Sequence, residues 1–142
     1  MSHLYKVNLK WNEGRIGEIS SPELISKIEV ATPPQFPKGV EGIWSPEHLL
    51  TAAVNSCFMT TFLAIAENFS LEFIDFSCSA IGNLGQVDGK YLMTEIILRP
   101  ILKISNESNK DKAIRVLEKS EKACLISNSI KSIVYLQPEI IF

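Results

Sequence analysis

Histidine is scarce in this chain, cysteine is too sparse for a disulfide framework, and no stretch is strongly basic. The imidazoles and thiols amount to His3, His48, Cys57, Cys78 and Cys124, and no two of them form a closely spaced ligand pair. A metal site is therefore not expected. Neither histidine accompanies a nucleophile-elbow pattern, so a Ser-His-Asp hydrolase is not indicated. Fourteen Lys and Arg against sixteen Asp and Glu give a net charge of -2. Without a basic footprint, nucleic acid and anionic membrane surfaces are poor partners. Met1 to Trp11 alternates polar and apolar residues and lacks the continuous apolar core of a secretory signal, which places the expectation in the cytoplasm. Three cysteines in such a chain read as reduced thiols, and any disulfide would be transient and chemical.

What is present suits one domain spanning residues 1–142, with 46% hydrophobic and 21% charged residues. Tyr5, Val7, Leu9 and Trp11 share one face of a first strand, and Glu13-Gly14 is a turn. Arg15 to Ser20 is the return strand, and Leu24 to Val30 alternates as a third. Ala31 to Trp44, rich in proline and glycine, is a loop. Ser45 before Pro46 marks a helix start, since the hydroxyl can cap a free N–H and a first-turn proline loses no hydrogen bond. The helix is expected to run to about Asn68. Its uncharged stretch, Leu49 to Ala66, approaches transmembrane length, but Thr51, Asn55, Ser56, Thr60 and Thr61 interrupt it, and it reads as a buried helix of a soluble protein.

A second sheet segment follows. Ile74, Phe76, Cys78 and Ala80 lie on one face, Asp88-Gly89 makes a hairpin turn, and Leu92 to Ile104 is a long strand whose Pro100 suggests an edge or a bulge. Ser105 to Asn109 offers caps for a second helix through about Cys124, Ser127-Asn128-Ser129 breaks it, and Ile133 to Leu136 is a last strand. The fold class is α+β in the order β-β-β-α-β-β-α-β.

Cys57 sits in the middle of the apolar helix. The reactive form of cysteine is the thiolate, and an ordinary thiol with a pKa of about 8.5 is mostly protonated at neutral pH. The helix itself offers little help, because roughly 15 Å of axis separates Cys57 from the N-terminal dipole and burial alone raises a thiol pKa. A cation from elsewhere is the expected remedy. Arg15, one of three arginines and placed beside the first turn, is the candidate. Its guanidinium can hold a carboxylate such as Glu47 and still present donors to a thiolate or a peroxide oxygen. Glu47 and Cys57 are too far apart on one straight helix to share a site. They are unrelated, or they meet across a symmetric dimer whose helices cross near Ala52 and Ala53. Each residue also has a plainer use. Buried cysteine is commonly packing, Glu47 suits the macrodipole, Arg15 can be a solvated charge, and Cys124 can be filler.

Trp11 with Gly14-Arg15-Ile16-Gly17, then Ser45-Pro46-Glu47-His48-Leu49-Leu50 leading through Ala52-Ala53 to Ser56-Cys57-Phe58, then Cys124-Leu125-Ile126-Ser127-Asn128-Ser129, resembles the OsmC/Ohr family of osmotically inducible and organic hydroperoxide resistance proteins. The resemblance spans nearly the whole chain. It implies an OsmC-like, intertwined homodimer with a long central helix, acting as a thiol peroxidase on organic hydroperoxides, with no cofactor. Cys57 would be the peroxidatic thiolate and Cys124 the resolving thiol. Arg15 with Glu47 would activate the thiolate, and a dithiol, of lipoyl type, would be the reductant. Leu125 and Ile126 stand where the hydroperoxide-resistance branch usually has proline and an aromatic, so the chain looks more like another branch. Two rival classes remain from the residues themselves: a non-catalytic dimeric module binding an apolar ligand, and another cysteine-dependent redox enzyme.

Overall fold

The structure is a computed structural model that describes residues 2–142. The chain forms two compact units, residues 1–49 and 50–142. In the first, β1 (Asn8–Glu13), β2 (Ile16–Ser20) and β3 (Ile28–Ala31) make an antiparallel meander. Gly14 turns the β1–β2 hairpin at φ 51°, and the Trp11 indole N–H donates to the Gly14 carbonyl at 3.0 Å. The first strand begins three residues later than the Tyr5 alternation predicts, and the third begins at Ile28 rather than Leu24. Both shifts have one cause, since pairing with β2 spans only Asn8 to Glu13 on one side and Ile28 to Ala31 on the other. Residues 32–44 form the expected loop. It is held by Phe36 N–H to the Pro33 carbonyl at 3.1 Å and Val40 N–H to the Thr32 carbonyl at 2.9 Å, and it returns at Trp44, whose carbonyl accepts from Ala31 N–H at 2.8 Å.

Helix α1 runs over Pro46–Asn68, the span the serine-proline start predicts. The Ser45 hydroxyl accepts from the His48 N–H at 3.1 Å, which is the capping bond expected. At the other end Ser70 takes φ 52°, Leu71 N–H bonds the Ala66 carbonyl at 2.8 Å, and Ser70 N–H bonds the Glu67 carbonyl at 3.0 Å. This is a Schellman stop, with buried Leu71 as its apolar contact and serine where glycine is usual.

The second unit is built on a sheet. Strand β4 (Asp75–Val87) pairs antiparallel with β5 (Lys90–Lys103) through the two-residue Asp88-Gly89 turn, whose φ values of 51° and 77° match a type I′ hairpin. On its other side β5 pairs in parallel with β6 (Ile133–Leu136) and then with β7 (Glu139–Ile141). Helix α2 (Lys110–Ala123) precedes β6. Two expectations need correction. The order carries an additional last strand, β7, too short to show periodicity in the sequence. Pro100 marks neither an edge nor a bulge, because β5 is central and the register shift lies at Asn83/Leu84. Pro100 is accommodated opposite the gap where β6 pairing has ended at Leu98 and β7 pairing has yet to begin at Ile101.

The core lies between this sheet and the two helices. Phe62 stacks on Phe76 at 4.6 Å between ring centroids and meets Phe73 at 5.2 Å, while Ile96, Leu98 and Leu102 of β5 join Val116 and Leu117 of α2 in the same cluster. By length and composition α1 could cross a membrane, yet Val54, Phe58, Phe62 and Ala66 fill this core. Met59 and Leu63 stay 40% and 44% exposed, so the helix has an apolar face outside the core as well. Phe62→Ala should destabilise the protein by about 3–5 kcal/mol. Ser70→Gly, which relieves the left-handed strain, should stabilise it by about 0.5–1 kcal/mol. Thermal and urea melts of the two variants measure both.

Candidate active site

The path of α2 brings Cys124 to α1. Cys124 caps the C-terminus of α2, with its N–H on the Glu121 carbonyl at 3.3 Å, and the chain then tightens into a 3-10 turn over Ser127–Ser129. The side chains of that turn look after its carbonyls. Ser129 Oγ donates to the Leu125 carbonyl at 2.7 Å, Asn128 Nδ2 donates to the Lys122 carbonyl at 3.1 Å, and Asn128 N–H bonds the Cys124 carbonyl at 3.1 Å. Three consecutive backbone N–H groups, from Leu125 to Ser127, act on the two sulfurs. Leu125 and Ile126 donate to Cys57, and Ser127 donates to Cys124. The thiols of Cys57 and Cys124 also hydrogen-bond to each other, and both are free cysteines. Thr61, one turn on from Cys57, places its hydroxyl 3.9 Å from the Cys57 sulfur.

The two sulfurs are buried together yet treated unequally. Burial pushes the Cys57 thiol up. The Ile126 N–H, the Cys124 thiol, the Thr61 hydroxyl and the Leu125 N–H outweigh it and hold Cys57 below the ordinary thiol range. Burial also pushes Cys124 up, and the hydrogen bond and charge of Cys57 add to that effect. The Ser127 hydroxyl and N–H only partly offset it, so Cys124 stays raised. Cys57 is 9% exposed and Cys124 is 0% exposed, so Cys57 is the sulfur an outside reagent meets first. Cys78, on the core-facing side of β4, is pushed up by burial to about 11 and is an inert thiol at neutral pH.

Of the four residues singled out in the sequence, Cys57 and Cys124 meet within the second unit. Arg15 and Glu47 belong to the first. Arg15 is exposed on the β1–β2 turn, its carbonyl accepts from Thr32 N–H at 3.4 Å, and with Trp11, Val30 and Pro46 it lines a hollow of about 320 Å³. Glu47 is half-buried in the first turn of α1. Sequence reasoning looked to a cation and did not find the donors that act on Cys57 within its own unit. Thr61 was accessible from its i+4 spacing. The N–H groups of Leu125 and Ile126 were not, because backbone donors leave no mark in composition. A proline at either position would have no N–H to give. Among the described residues no group of three His, Cys, Asp or Glu gathers to hold a metal ion.

Comparison with known proteins places the chain in a family. The profile of the family described as OsmC-like protein matches residues 39–139. The Bacillus subtilis (strain 168) protein YmaD, described as uncharacterized, is 30% identical over 141 residues, 96% of this chain and 92% of its own length. An OsmC-like protein of unknown function from Vibrio cholerae superposes with a TM-score of 0.85 at 24% identity, covering 97% of this chain and 99% of that one. An organic hydroperoxide resistance protein from Elizabethkingia anophelis superposes with a TM-score of 0.76 at 20% identity, covering 99% of each chain. At these identities the two structures speak to the fold.

A lowered thiol pKa keeps Cys57 anionic below the pH at which a free cysteine protonates, and the anion is lost only as pH falls through the lowered value. Iodoacetamide should therefore alkylate Cys57 at neutral pH faster than it alkylates Cys78. Thr61→Val should shift the Cys57 profile to higher pH and slow alkylation at pH 7 about threefold, read by peptide mass spectrometry across a pH series.

Proposed function

The chain belongs to the OsmC-like protein family, and we propose that it is a thiol-dependent peroxidase that reduces organic hydroperoxides to alcohols. The observation that carries this reading is the contact between two free sulfurs of unequal proton affinity, with the more acidic one also the more exposed. The Cys57 thiolate attacks the terminal peroxide oxygen, the O–O bond breaks with the hydroxyl passing to sulfur, and the departing alkoxide takes up a proton from solvent to leave as the alcohol. Cys57 is then a sulfenic acid. Cys124 attacks its sulfur, the S–S bond forms, and the oxygen departs as water. An external dithiol, of lipoyl type by family resemblance, reopens the disulfide by exchange.

In this proposal, and by family resemblance alone, Arg15 and Glu47 are a guanidinium–carboxylate pair that serves the reaction, and the working form is a cytoplasmic homodimer. The apolar-ligand module keeps one specific support, a cleft of about 510 Å³ in the first unit lined by Pro34, Ile43, Trp44 and His48 among others.

One experiment separates these readings. After one equivalent of cumene hydroperoxide, two free thiols should be lost per chain and peptide mapping should find a Cys57–Cys124 linkage that leaves Cys78 free. Cys57→Ser should abolish peroxide consumption, whereas Cys124→Ser should retain a first turnover and then accumulate oxidised Cys57. Unchanged thiols, or linkage through Cys78, refutes the peroxidase.

A further inference from the structure

Ser127 has a buried hydroxyl with no hydrogen-bond partner of ordinary geometry among the described residues, and it lies beside the Cys124 sulfur. A buried hydroxyl without a good acceptor costs about 1–3 kcal/mol, so its placement calls for a state in which an acceptor appears. The Cys124 thiolate is such an acceptor. We propose that Ser127 is the group that readies Cys124 for the second chemical step, its hydroxyl and N–H holding the Cys124 sulfur as a thiolate once Cys57 has been oxidised. This rests on the peroxidase reading above.

The order of events follows from the charges. While Cys57 is a thiolate it opposes ionisation of Cys124 in two ways, through its own charge and by accepting a hydrogen bond from the Cys124 thiol. Attack on the peroxide converts Cys57 to a neutral sulfenic acid and removes both effects. The donors of Ser127 remain. Cys124 then loses its proton, its sulfur attacks the Cys57 sulfur, the S–O bond breaks, and the departing hydroxide takes up a proton to leave as water. Peroxide is the oxidant throughout and no further reagent is needed. Of the titratable groups nearby in the same unit, Cys57 on α1 acts directly on this sulfur, while Glu121 and Lys122 on the last turn of α2 interact with each other. The turn thus divides its donors, two N–H groups for the first sulfur and the Ser127 pair for the second.

The test uses full-length protein and needs no peroxide. In a Cys57→Ser/Cys78→Ser background Cys124 is the single thiol, and a neutral hydroxyl stands where the sulfenic acid would be. Thiolate absorbance at 240 nm is followed across a pH series. Adding Ser127→Ala should move the midpoint upward, and Ser127→Thr, which keeps the hydroxyl, should restore it. Circular dichroism confirms that each variant is folded. In a single-turnover experiment with Cys57 and Cys124 intact, Ser127→Ala should slow disulfide closure about tenfold at pH 7 and leave the rate of sulfenic acid formation unchanged. An unmoved midpoint, or a threonine variant that behaves as alanine, overturns the role of Ser127. Since the titration involves no substrate, its failure is distinct from a failure of the peroxidase reading, which the peroxide experiment decides by itself.

Discussion

The chemistry open to this protein depends on a hydrogen-bonded contact between two buried sulfurs that hold their protons with unequal strength. Burial by itself would silence both, because a low-dielectric surrounding penalises the anion. The outcome is set by donors. Cys57 receives two backbone N–H groups, a hydroxyl and the partner thiol, whereas Cys124 receives one residue's pair and faces the developing charge of Cys57. An asymmetry of this kind gives two identical side chains different roles without any change of residue type.

That contact is a product of the core. Val54, Phe58 and Phe62 of α1 share one apolar cluster with Val116 and Leu117 of α2, so the end of α2 is delivered to the middle of α1 as a consequence of packing. After Cys124 the Asn128 and Ser129 side chains take the Lys122 and Leu125 carbonyls, while the N–H groups of Leu125, Ile126 and Ser127 are left to act on the sulfurs. Cys78 shows the converse case. It lies on the core side of the same unit, lacks such a set of donors, and is pushed up to about 11.

Local structure was legible wherever side-chain chemistry acts locally. The Ser45-Pro46 start, the Asp88-Gly89 turn and the Ser127–Ser129 break lie where their residues imply, because a cap, a positive φ and a hydroxyl-rich turn are short-range preferences. The strand starts near Asn8 and Ile28, the short β7 and the tolerance of Pro100 in a central strand were not legible. Each depends on which partner strand is present, and pairing between distant segments leaves little trace in a single strand's alternation. The site divides in the same way. Cys57 and Cys124 were visible as residue types, but the donors on Leu125 and Ile126 are backbone groups that any residue other than proline would supply.

From its residues alone, this chain specified an α+β architecture, a long apolar helix with a thiol at its centre, a second thiol at the end of the next helix, and the exclusion of a closely spaced metal-ligand set. Which thiol is the more acidic was decided by tertiary structure. Proton affinity in an interior is the balance of desolvation against the hydrogen bonds that converge on one atom, and the elements supplying those bonds to Cys57 lie more than sixty residues apart in the chain and meet only when α2 packs on α1.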